Sequence, residues 1–135
     1  MAFDPTLPAT GVTTFGNLYA ILRANFVGLG VVEAWTNVSS LGANWVAQTT
    51  VSHMKDPMGF VYLKGYGYAS GTASATLFTL PSGYRPAQTF KKIGGVNAAN
   101  VWPGQIIIAT DGTVTAEFYS NNDQFFLDGI TFKAT

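Results

Sequence analysis

The 135-residue chain contains no cysteine and one histidine, His53. The first absence excludes a disulfide framework, a thiolate metal site and a cysteine nucleophile. The second leaves any metal site to carboxylates, and no HxxxH-type ligand spacing is present. Neither a metal nor a cofactor is expected. Charge is scarce as well. Seven basic and seven acidic side chains make up 10% of the residues, where about 25% is usual for a soluble domain. No run of like charge occurs, so a nucleic-acid footprint is excluded. Long apolar runs are also missing. The stretch 18–32 leans apolar but is interrupted by Arg23, Asn25, Gly28 and Gly30, and is too short to span a bilayer. The opening MAFDPTLPATG lacks the basic and apolar regions of a signal peptide. A soluble protein without membrane insertion is expected.

What is present is apolar (47%) and aromatic (14%). Two outlets for the surplus apolar surface stay open: an oligomer interface, or a surface filled out with Ser, Thr, Asn and Gly. The length fits one domain with a short appended segment. Pro5, Pro8 and Gly11 mark an extended arm. Phe15, Leu18, Leu22, Asn25 and Leu29 then follow at heptad spacing, with Tyr19 and Phe26 widening the stripe, which predicts a short amphipathic helix. Thr13 or Thr14 can cap its start and Gly28 or Gly30 its end. About two heptads is too little for a free-standing coiled coil. The helix therefore packs either against symmetry mates, with Asn25 fixing register, or against its own domain. Residues 1–32 read as arm and helix, and 33–135 as a β head.

From Val31 onward the texture is short β-type runs separated by Gly, Pro, Asn and Asp. Strands are expected at Glu33–Val38, Trp45–His53, Gly59–Tyr68, Ala75–Leu80 and Thr89–Gly95. Others are expected at Gln105–Thr110, Thr113–Tyr119, Gln124–Leu127 and Ile130–Lys133. In Phe60–Tyr68 the residues Val61, Leu63, Gly65 and Gly67 share one face. Two apolar side chains followed by two glycines predict close approach by another element, or a bend at a barrel or sandwich corner. Asp111-Gly112 and Asp128-Gly129 predict tight turns. Strands of this number and spacing define an all-β class: an antiparallel β-sandwich, jelly-roll-like, with a short N-terminal helix.

The segment Leu77-Phe78-Thr79-Leu80-Pro81-Ser82-Gly83-Tyr84-Arg85-Pro86-Ala87, then Asp111-Gly112-Thr113-Val114 and Leu127-Asp128-Gly129-Ile130-Thr131-Phe132, resembles a signature of the C-terminal domains of bacteriophage and prophage tail-fibre and receptor-binding proteins. The resemblance covers residues 34–135. It implies a homotrimeric, non-enzymatic virion module on a tail fibre, baseplate or capsid-attached fibre, assembled in the host cytoplasm. The N-terminal segment would supply trimerisation and attachment to another virion structural protein, and the head would meet a host-surface saccharide. Two rival readings are a purely structural trimeric fibre or capsid-decoration protein, and a glycan-degrading fibre domain.

Read physically, Pro81 and Pro86 fix φ around a turn in which Gly83 can adopt positive φ. This is a structural corner, not a ligand contact. For a sugar, the chemistry needed is a ring for stacking beside amides and hydroxyls. Two loops supply it: Asn97, Asn100 and Trp102 in one, Tyr119, Asn121, Asn122 and Asp123 in the other. Trp102 in the core is an equal alternative, and Trp35 and Trp45 are expected there. No GxSxG elbow occurs, and Asp123 and Asp128 read as turn-capping carboxylates, not a glycosidase pair with Glu117. No catalytic residue is expected.

Overall fold

The computed structural model describes residues 22–23, 30, 32–70, 73–96, 103–118 and 123–135. Eleven strands occur among them: β1 (Thr36–Asn37), β2 (Trp45–Ala47), β3 (Ser52–Lys55), β4 (Phe60–Lys64), β5 (Tyr66–Ala69), β6 (Ala73–Thr79), β7 (Phe90–Val96), β8 (Pro103–Ile108), β9 (Thr113–Phe118), β10 (Asp123–Phe126) and β11 (Thr131–Lys133). They form two antiparallel sheets, one ordered β1-β3-β4-β11 and one ordered β2-β5-β10-β7-β8-β9-β6. The expected β-sandwich is thus found. The helix expected from Phe15, Leu18, Leu22, Asn25 and Leu29 lies outside the described residues apart from Leu22, which is 46% exposed.

Two expected strands are each divided between the sheets. Trp45–His53 breaks into β2 and β3, and Gly59–Tyr68 into β4 and β5. The second break falls at Gly65, whose φ of +115° only glycine adopts readily. Inward alternation nevertheless runs unbroken through Val61, Leu63, Gly65, Gly67 and Ala69, because both strands face the shared core. The predicted close approach is also present. A Cβ at position 67 would stand 2.8 Å from the Trp45 ring and 2.9 Å from Ala47 Cα. The first break carries no Gly or Pro. Its backbone is held instead by Tyr66, whose carbonyl accepts from Gln48 N–H and Thr49 N–H while its own N–H donates to the Thr49 hydroxyl.

One contiguous core fills the sandwich, with Trp45, Leu63, Leu77, Ile106, Ile108, Phe125 and Ile130 all buried. Each such side chain contributes about 1.5–3 kcal/mol. Trp45 takes the core position expected of it. Trp35 does not: it is 40% exposed, with the Lys64 ammonium 4.4 Å from its ring centroid, because the edge strand β1 is only two residues long.

β6 is an edge, and its treatment shapes the site described next. A register shift between Thr76 and Phe78 bulges the strand, so that consecutive Leu77 and Phe78 both enter the core. The bulge frees the Leu77 carbonyl, which accepts from Gly42 N–H at 2.7 Å. The loop ahead of β2 thereby covers the edge. A Cβ at position 42 would lie 2.8 Å from the Thr76 carbonyl carbon and closer still to its oxygen. Gly42→Ala is therefore expected to lower stability by about 2 kcal/mol, the order of an overpacked core site, read as a lower urea midpoint at unchanged slope.

Candidate functional site

The segment 80–86 is a corner that joins both sheets. Leu80 N–H donates to Gly112 O, anchoring the corner on the β8–β9 hairpin turn, and Tyr84 N–H donates to Pro81 O. Arg85 Nε–H donates to Leu80 O at 3.0 Å, and Arg85 O accepts from Thr135 N–H at 3.0 Å. Lys55, on β3, reaches across to donate to Gly83 O at 3.0 Å and stands 4.7 Å from the Tyr84 ring centroid. The structural role expected of this segment is therefore written in its bonds.

Tyr84 occupies the space the corner encloses. Its ring lies 4.6 Å from that of His53, and its hydroxyl donates to the Glu33 carboxylate. This bond raises the pKa of the Tyr84 hydroxyl. His53 itself is only 5% exposed, and its Nδ1 is buried without a hydrogen-bond partner. Burial lowers its pKa, with the Glu33 charge opposing weakly. The ring that packs on this single histidine is a tyrosine.

Beside this cluster opens a cleft of about 630 Å³, between β1 with the following loop, β6, and the corner. Its volume lies in the range of small-molecule sites. Val38, Leu41, Phe78 and Leu80 supply apolar wall, and Thr36, Asn37, Ser39, Ser40 and Thr79 supply polar groups. His53, Tyr84 and Arg85 complete it. The sequence analysis placed no site here. The missing signal is spatial: residues 36–42, 53 and 76–85 meet only because the two sheets stack. A sequence clue existed in Arg85, since one guanidinium carries more donors than one corner uses.

Of the residues expected to bind ligand, Asn97, Asn100, Trp102, Tyr119, Asn121 and Asn122 lie outside the described residues. Asp123 is the first residue of β10, paired with Ala69 and 3% exposed, not part of an exposed loop. Glu117 and Asp123 do not pair. Their strands β9 and β10 are separated by β7 and β8, three strand spacings or about 14 Å, whereas a glycosidase pair needs less than about 9.5 Å. Among the described residues, no three His, Cys, Asp or Glu side chains group as metal ligands.

No family model matches the sequence, and no curated protein does. Among solved structures, the fold is similar to that of the receptor binding protein (gp15) of Listeria phage PSA. The TM-score is 0.70 at 17% identity, over 89% of this chain and 75% of that one. At that identity the likeness is one of fold.

The depressed pKa of His53 gives a pH dependence with a definite sign. The unfolded chain takes up the proton near pH 6.5, the folded chain only at lower pH. Stability is therefore present above about pH 6.5 and is lost as pH falls toward the folded value. Urea midpoints should decline through this window, and His53→Gln should remove that part of the decline.

Proposed function

We propose that the chain is a phage virion receptor-binding module that engages a host-surface glycan without cleaving it. The observation that carries this reading is the fold, shared over 89% of the chain with a phage receptor binding protein. The resemblance of segments 77–87, 111–114 and 127–132 to phage receptor-binding domains agrees with this reading. The cleft beside Tyr84 offers the right kind of surface: hydroxyls and an amide beside an apolar wall, in a volume suited to a small ligand. The residues around Trp102 and Asn121, which lie outside the described residues, are the second place for glycan contact. The module acts as a homotrimer on a tail fibre, baseplate or capsid fibre, joined through residues 1–32 to another virion protein.

Scarce charge (10%) and exposed apolar side chains on the strands, Val46, Ile93 and Phe126, favour the trimer. Phe126 stacks on Tyr66 with ring centroids 5.6 Å apart, so the outward face of β5 and β10 is aromatic. Burying that face between copies accounts for a composition a free monomer would not need.

The fluorescently labelled full chain should bind a subset of bacterial cells across a broad panel. Binding should survive protease treatment of the cells and fall at least about tenfold after periodate, which cleaves vicinal diols; a tenfold fall is about 1.4 kcal/mol. Binding that protease abolishes and periodate leaves intact contradicts the glycan, and binding to no cell favours a purely structural fibre. Sedimentation equilibrium of the same sample should give about three times the 14.4 kDa chain mass; a concentration-independent monomer contradicts the trimer.

A further inference from the structure

The cleft walls are unbalanced in hydrogen-bonding character. Asn37 Oδ1 already accepts from the Ser52 hydroxyl at 2.8 Å, which leaves its amide N–H groups for a guest. Arg85 spends Nε–H on Leu80 O, which leaves the four N–H groups on its two Nη atoms. No carboxylate lines the cleft, and Arg85 is its one permanently ionised group. Two carboxylates lie nearby with bonds of their own. The bonds from Thr113 lower the pKa of one of them, Asp111, which also feels the Arg85 charge, and that charge helps to lower it. Asp111 accepts from Thr113 N–H at 2.8 Å, and Glu33 accepts from the Tyr84 hydroxyl. A surplus of donors around one guanidinium is the complement of an acceptor-rich, negatively charged group.

We infer that this cleft binds an acidic saccharide residue, its carboxylate or phosphate held by the Arg85 Nη atoms and the Asn37 amide. The inference rests on the receptor-binding reading only in taking the ligand to be a sugar. The hydroxyls of Ser40 and Thr79 line the same cleft and meet the sugar's remaining hydroxyl groups.

Calorimetric titration of the full chain with glucuronate, glucose 6-phosphate, glucose and inorganic phosphate tests this. At least one acidic sugar should bind about tenfold or more tighter than glucose and than inorganic phosphate, as expected for a charge-assisted bond; the carboxylate and phosphate arms tell the two sources apart. Ser40→Glu, at an exposed loop position, should keep the circular dichroism spectrum and lower that affinity about tenfold through like-charge repulsion, while Ser40→Ala should change it less than about threefold, the effect of one neutral hydrogen bond. Equal affinity for glucose, absence of binding by both acidic sugars, or indifference to Ser40→Glu overturns the inference. If any of these is found while periodate-sensitive cell binding persists, the receptor-binding reading stands without it.

Discussion

The rest of the structure depends on the bond from Arg85 Nε–H to Leu80 O. It closes the 80–85 corner on itself, and three other parts of the chain are tied to the closed corner. The β8–β9 turn holds Leu80, the C-terminal Thr135 holds Arg85, Lys55 of β3 holds Gly83, and β3 also presents His53 to the Tyr84 ring. Each bond is worth about 1 kcal/mol net, yet together they link the four-stranded sheet to the seven-stranded one at their open flank. The chain also crosses between the sheets at residues 38–44, 48–51, 65 and 127–130, and the corner adds side-chain ties to those crossings.

The same closure creates the site. Committing Arg85 Nε to the scaffold restrains the guanidinium, so less rotamer entropy remains to be lost in a further bond. Tyr84 is fixed in the same way, by His53 on one side and Lys55 on the other. Corner and binding wall are one construction. A segment can thus read as purely structural in sequence and still line a cleft.

Much of the fold was legible. The alternation through Phe60–Tyr68, the Asp111-Gly112 hairpin and the buried Trp45 follow from local rules, and local rules gave the right strands. Sheet membership was less so, since Trp45–His53 contains no Gly or Pro to announce its break. Trp35 was misplaced because its neighbours look strand-like although β1 ends after two residues. The cleft was not legible at all. It depends on a bulge at Leu77, on Gly42 covering that bulge, and on the stacking of β1 over β6, none of which has a signature within one segment. Asp123 shows the converse error: turn-like composition placed in a loop a residue that the sheet buries.

The central claim is that the walls of the Arg85 corner receive the ligand. Amide chemical-shift mapping of the isotope-labelled full chain, titrated with a saccharide that binds, tests it most directly. The account predicts shifts concentrated at residues 36–42, His53 and 79–85. Shifts confined to the outward faces of β4, β5 and β10, with the corner unmoved, would contradict it.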